Sequence, residues 1–279
     1  MRPMQWTKNG VVLAGVVFSG QATDVDLVKR ALLAFVSFCL ISSSIYVFND
    51  WHDRQEDRLH PVKRLRPIAS GEVAADRAIG MAIALVGVGL ITAALVSIQL
   101  MTVVMTYCLL MICYTLWLRG VVFLDVVVIA IGFVLRALAG TVAVEVSISV
   151  WLFVCTLLLA LTLGLGKREG ELYVLRGGLE AHRSTLARYE LLDLPRLLLV
   201  FGLATVASYL MYTIAVPAYG RSVPMFVTAP FVAFAVGRYL WLAIRYHRGS
   251  APERLLFEDK PLLLSIGAWV LAIAVVLGS

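Results

Sequence analysis

Hydrophobic residues make up 61% of the 279-residue chain and charged residues only 15%, with a mean hydropathy of +0.89. That balance excludes an ordinary soluble domain, in which the two fractions lie at about one half and one quarter. The formal net charge of +6 has no soluble basic domain to display it, which argues against nucleic acid and for cations that flank membrane spans.

No linker, low-complexity tract or repeat breaks the chain, so residues 1–279 read as one membrane domain. Arg2 and Lys8, followed by the short apolar run Val11–Phe18, imitate a signal peptide. With many spans following, this segment reads instead as the first anchor. A helix needs about 20 apolar residues to cross the bilayer core. On that measure the spans fall at 9–23, 27–48, 74–97, 99–118, 121–142, 147–166, 196–216, 223–245 and 261–278. The runs are continuously apolar rather than alternating, which predicts helices and not a barrel. The expected fold is therefore an all-α bundle of nine transmembrane helices.

Of the 24 Lys and Arg residues, nineteen fall on the side of the N-terminus and of the polar stretches 49–73 and 167–195. Lys29, Arg30 and Arg221 fall on the other side, and Arg136 and Arg238 lie within spans. The positive-inside rule then predicts a multi-pass protein of the cell membrane with both polar loops and the N-terminus in the cytoplasm and the C-terminus outside. Cys39, Cys108, Cys113 and Cys155 lie in apolar runs without paired spacing and read as small hydrophobes rather than ligands.

The segment Asn49-Asp50-Trp51-His52-Asp53-Arg54-Gln55-Glu56-Asp57 continues the second span into the headgroup region. On a helix Asn49, Asp53, Asp57 and Asp50 fall at about 0°, 40°, 80° and 100°, one narrow face. His52 falls on a different face. Like charges so spaced repel unless a cation lies on them. Mg2+ suits the set, because it takes oxygen ligands and prefers one or two carboxylates plus phosphate oxygens. A solvated acidic helix end neutralised by Arg54 and Arg58 would be the plain alternative. The position at membrane depth and the basic run Lys63-Arg64-Leu65-Arg66 favour a diphosphate site with Asp50, Asp53 and Asp57 as metal ligands.

Asn49-Asp50-x-x-Asp53-x-x-x-Asp57 and the following His60-Pro61-x-Lys63-Arg64-x-Arg66-Pro67 resemble the signature of the UbiA superfamily of intramembrane prenyltransferases. The resemblance implies nine helices around a cavity and a diphosphate bound through Mg2+. After the sixth span the chain lacks the second Asp-rich motif usual in aromatic prenyltransferases. It has Gly166-Lys167-Arg168-Glu169-Gly170-Glu171-Leu172, then His182-Arg183 and Tyr189. Lys167 and Arg168 can contact phosphate directly, although cations flanking a span are also ordinary.

This second segment resembles the polyprenyl-phosphate (decaprenyl-phosphate) phosphoribosyltransferase branch of the superfamily. So do Arg2-Pro3-x-x-Trp6-x-Lys8-Asn9, Leu124-Asp125-Val126, Arg136-Ala137-Leu138-Ala139-Gly140, Pro252-Glu253 and Asp259. Arg119 stands where Lys is expected and Lys260 where Arg is usual, both keeping the charge. Arg136, mid-span, is expected to face the cavity and pair with Asp125 or a substrate phosphate.

The resemblance implies phosphoribosyl diphosphate as donor, held by Asp50, Asp53 and Asp57 through Mg2+, with Asn49, Lys63, Arg64 and Arg66 assisting. A polyprenyl phosphate lipid would be the acceptor, positioned by Lys167, Arg168 and Arg183, with Glu171 orienting these cations or touching sugar hydroxyls. Lys8 and Tyr114 complete the candidate contacts. Membrane-interface placement is the plainer reading of Tyr114, as of Trp6, Trp51 and Trp117. The alternatives are an aromatic prenyltransferase using a prenyl diphosphate, which shares the first Asp face, and a transporter, against which the edge position of the acidic cluster argues.

Overall fold

The computed structural model describes residues 3–19, 23–146, 149–176, 188–215 and 224–278. Among them a 3-10 segment, Pro3–Leu13, leads into α1, Ala14–Phe18. The long helices are α2 (Val25–His52), α4 (Ala75–Ala94), α5 (Ile98–Leu116), α6 (Leu124–Ala143) and α7 (Val150–Arg176). They continue as α8 (Leu194–Ala215), α9 (Ala229–Tyr246) and α11 (Lys260–Gly278). Two short helices, α3 (Arg54–Leu59) and α10 (Pro252–Glu258), lie in the connections. Eight helices among the described residues are long and apolar enough to cross a membrane.

The first expected span, 9–23, is the exception. Its described part is mostly 3-10 and only five residues of α-helix. The tighter helix rises about 2 Å per residue, so residues 3–18 still extend about 30 Å, close to the bilayer core.

Local chemistry sets many of the helix ends. Asp24 caps α2, its Oδ1 accepting the amides of Asp26 (2.9 Å) and Leu27 (3.2 Å). α8, α9, α10 and α11 each carry a proline in their first two residues, where no intrahelical amide bond is lost. α2 and α7, at 28 and 27 residues, run about 40 Å and overrun the hydrocarbon by several residues. α7 continues ten residues past the expected end of its span, because Lys167–Arg176 contains good helix formers and no proline.

The chain folds as two compact units, Met1–Leu116 with Leu135–Val146, and Trp117–Val134 with Ser147–Ser279. In the first, α2 packs on α4 and α5. Ser37 and Ser44 of α2 donate to the carbonyls of Gly89 and Ala82, both at 2.8 Å, so small residues bring the two backbones close. The N-terminal segment crosses α6 in backbone contact. A Cβ on Gly140 would lie 1.9 Å from the Val12 carbonyl oxygen, and one on Gly15 2.4 Å from that of Gly140. In the second unit α7 packs on α8, and α9 packs on α8 and α11. Val126, Leu161, Leu165, Tyr189, Leu198 and Leu240 lie in one of its cores.

Gly140→Val should therefore lower stability by about 3 kcal/mol, the upper range for overpacking. Gly80→Ala, on α4 with nothing within 4 Å of the added carbon, should be neutral or slightly stabilising. Thermal unfolding of the detergent-purified variants measures both.

Candidate active site

The Asp-rich segment lies where α2 gives way to α3. Asp53 caps both helices at φ −85° and ψ 3°. Its amide still bonds to the Asn49 carbonyl (2.9 Å), and the Asp57 amide bonds to the Asp53 carbonyl (2.8 Å), so the helical repeat nearly survives the junction.

Arg66 Nη1 lies 3.1 Å from Asp50 Oδ1 and 2.6 Å from Asp57 Oδ2, so one guanidinium nitrogen bridges two carboxylates. Asp57 is 4% exposed. A buried carboxylate of this kind requires a paired charge. Asp50 and Asp57 thus meet as the spacing predicts, but Arg66 is their counterion as well as a candidate phosphate contact. Arg54 and Arg58, the neutralising cations of the plain alternative, turn elsewhere. Arg54 bonds to the Trp51 carbonyl (2.8 Å) and Arg58 to that of Ala69 (3.0 Å).

The other two members of the face have separate partners. Asp53 Oδ1 lies 3.0 Å from His52 Nδ1, so His52 joins the motif rather than standing apart from it. Asn49 Oδ1 accepts from Thr115 at 2.5 Å. No group of three Asp, Glu, His or Cys side chains gathers as a ready ligand cluster among the described residues. Asp53, the junction residue, engages His52, while Asp50 and Asp57 share Arg66. That pair still fits Mg2+, which prefers one or two carboxylates plus phosphate oxygens. Lys63 is half-buried, Arg64 is exposed, and neither makes an ion pair among the described residues.

Arg136 does not pair with Asp125. Both lie on α6, eleven residues and about 16 Å apart. Arg136 Nε bonds to Asn9 Oδ1 (2.9 Å), Nη2 to the Tyr107 hydroxyl (2.6 Å), and the guanidinium lies 4.7 Å from the Tyr107 ring centre. Asn9 in turn donates to Ser42 (3.1 Å) and Cys39 (3.3 Å). A charge at membrane depth is thus held by polar groups of two other elements, one of them fixed in turn by α2. Lys8, beside Asn9, and Tyr114, beside Thr115, are half-buried in the same unit. Trp6 is no simple interface aromatic, since its Nε1 donates to Ser43 at 3.1 Å.

In the second unit, Lys167, Arg168 and Glu171 lie on the helical overrun of α7. Arg168 is 5% exposed, with Nη2 2.8 Å from Asp125 Oδ2 and Nη1 2.5 Å from Glu171 Oε2. Asp125 also accepts from the Tyr189 hydroxyl, which itself accepts the Phe123 amide at 2.8 Å. Phe123 has a left-handed backbone (φ 69°), a conformation this bond helps to hold. Burial, with the hydrogen bond to Asp125 and that carboxylate's charge, pushes the Tyr189 phenol well above its ordinary value. Tyr189 therefore stays a proton donor.

Arg168, expected at a phosphate, is instead the buried centre of an Asp125–Arg168–Glu171 network. Lys167, with 43% of its side chain exposed and 3.9 Å from Glu171, is the cation this segment presents. Arg183 and His182 lie outside the described residues. The partnerships of Thr115 and Tyr189 escape a reading of the sequence, because their partners are distant along the chain and no local motif marks them.

Residues 10–259 match the model of the UbiA prenyltransferase family. The chain belongs to that family. It is 33% identical to a decaprenyl-phosphate phosphoribosyltransferase of Mycolicibacterium smegmatis, covering 97% of this chain and 88% of that protein. A second decaprenyl-phosphate phosphoribosyltransferase, of Corynebacterium glutamicum, is 30% identical, with 98% and 84% covered. Among solved structures, a UbiA homolog from Archaeoglobus fulgidus bound to DMAPP and Mg2+ superposes with a TM-score of 0.73 at 17% identity, covering 98% of this chain and 96% of that one. This likeness shows the fold, and the family match with the eight long apolar helices makes the chain a multi-pass membrane protein.

Arg66→Ala should leave the buried Asp57 without its counterion and cost about 3 kcal/mol, the lower range for breaking a buried pair. Asp57→Asn in the same chain should restore most of this. Added Mg2+ should raise the unfolding temperature of Arg66→Ala more than that of the parent, and should not do so in the double variant.

Proposed function

We propose that this UbiA-family protein transfers the 5-phosphoribosyl group of phosphoribosyl diphosphate to the phosphate of a polyprenyl phosphate. The products are polyprenylphosphoryl-5-phosphoribose and diphosphate. The observation that carries this reading is the 30–33% identity over 97–98% of the chain to decaprenyl-phosphate phosphoribosyltransferases. The replacement of a second Asp motif by Gly166-Lys167-Arg168-x-x-Glu171 agrees with it, since an anionic acceptor needs a cation where a second metal would otherwise be recruited.

The reading places nine crossings over residues 1–279 in the cell membrane, with the N-terminus and the site segments in the cytoplasm and the C-terminus outside. Asp50 and Asp57 hold Mg2+, with Asp53 available from the adjoining turn. Bound there, the metal supplies Lewis-acid stabilisation of the departing diphosphate. Lys63 and Arg64 neutralise the remaining diphosphate charge, and Asn49, fixed by Thr115, orients the end of α2. Arg66 keeps Asp50 and Asp57 together.

The C1–O bond of the donor breaks with its electron pair leaving on the diphosphate, and a phosphate oxygen of the acceptor forms the new bond to C1. Lys167 draws the acceptor phosphate in, and Glu171 orients Lys167. Arg183 is a further phosphate contact in this reading. The acceptor phosphate is largely ionised at neutral pH, its second pKa being about 6, so no strong general base is needed. Arg136, Asn9 and Tyr107 stabilise the fold around Lys8 and Tyr114, which remain candidate donor contacts.

Purified protein in detergent, given labelled phosphoribosyl diphosphate, decaprenyl phosphate and Mg2+, should yield a labelled lipid. Asp57→Asn should lower the rate by at least about a hundredfold, as loss of a charge-stabilising group does, while folding remains intact. Turnover of a prenyl diphosphate with a phenolic acceptor, and no labelled lipid, would identify an aromatic prenyltransferase instead.

A further inference from the structure

The acceptor-side segment of α7 is gripped by the connection that follows α9. His247 ends α9 in a left-handed conformation (φ 54°, ψ 28°), its amide bonding to the Leu242 carbonyl. Residues 248–250 then pack directly on α7. A Cβ on Gly249 would stand 2.1 Å from the Gly166 carbonyl oxygen, and one on Gly170 2.5 Å from the Ser250 nitrogen.

Within this contact the His247 ring lies flat on Tyr173, with centroids 3.9 Å apart and planes 6° from parallel. Its Nδ1 is 2.6 Å from Glu169 Oε1. The contact joins an imidazole nitrogen to a carboxyl oxygen at hydrogen-bond distance. Glu169 is 7% exposed, and its second oxygen is buried without a hydrogen-bond partner among the described residues. A buried polar side chain of this kind is costly unless its one strong partner is kept.

Helix geometry connects this clasp to the proposed chemistry. Glu169 and Tyr173 are four residues apart and share a face of α7. Lys167 and Glu171, also four apart, fall about 160° around the helix from that face. The Arg168–Asp125 pair lies about 100° from Glu169 on the same helix. Two side-chain anchors in different directions thus fix the rotation of the overrun, which sets where Lys167 points.

We propose that His247 is a positioning residue of the acceptor site: by clasping Glu169 and Tyr173 it sets the rotation of α7 from which Lys167 meets the lipid phosphate. This rests on the phosphoribosyl-transfer reading for its substrate but not for its geometry.

The test compares His247→Gly, which removes the ring without straining the left-handed backbone, with His247→Asn, which tolerates that backbone and keeps a donor near Nδ1. Steady-state kinetics of the full chain should show KM for decaprenyl phosphate raised about tenfold in His247→Gly, with KM for phosphoribosyl diphosphate within about twofold of the parent, the expected scale for a displaced contact. His247→Asn should recover most of the loss. Amide hydrogen exchange of residues 166–176, read without any substrate, should quicken in His247→Gly and return towards the parent in His247→Asn.

Unchanged exchange in His247→Gly overturns the clasp, and an equal rise in both KM values overturns its link to the acceptor. A parent protein inactive on both substrates, with quickened exchange in His247→Gly, would overturn the phosphoribosyl reading while leaving the clasp standing.

Discussion

Two carboxylates within reach of a single nitrogen repel one another unless a cation lies between them, and the Asp50–Asp57 pair places that demand on the end of α2. At 4 Å two unit charges of one sign repel by about 4 kcal/mol in surroundings of intermediate polarity. Arg66 meets this demand from a turn sixteen residues beyond Asp50. The loop after α3 is therefore tied back to the helix end it follows, and its Lys63 and Arg64 are carried along. A divalent ion with a diphosphate satisfies the same demand with more charge, which is why an acidic helix end in this place suits metal-assisted transfer.

The bilayer sets the second constraint. Neither α2 nor α7 could carry ionised side chains along its length, since charges within hydrocarbon are costly. Both helices exceed the core thickness, and both place their charged residues on the excess. What remains polar inside is held by neighbours, as Arg136 is by Asn9 and Tyr107. The helices pack through small residues and hydroxyl groups, as membrane helices do where hydrophobicity cannot discriminate one partner from another.

Much of this was legible in the order of the residues. Continuous apolar runs located eight spanning helices, because hydrocarbon tolerates little else. The Asp50 and Asp57 spacing announced a shared face, since a helical repeat survives a mild break. Side-chain partnerships across the fold were not legible. Arg168 looked like a phosphate ligand because it adjoins Lys167, yet Asp125 and Glu171 engage its guanidinium. Arg136 and Asp125 looked like partners because both are charged on one span, yet the rise of α6 keeps them apart. His247 lies in an unremarkable Tyr-His-Arg-Gly stretch, and only the approach of Gly249 to Gly166 brings its ring to Glu169. The close crossing of the N-terminal segment with α6 at Gly15 and Gly140 is likewise encoded by no local pattern.

Manganese, a paramagnetic substitute for magnesium, offers the most direct measurement of the central claim. Titrating Mn2+ into the purified protein with phosphoribosyl diphosphate, and following the free-ion signal by electron paramagnetic resonance, should show one saturable site per chain. That site should disappear in the Asp50→Asn/Asp57→Asn double variant. Equal Mn2+ binding by parent and double variant would contradict the account.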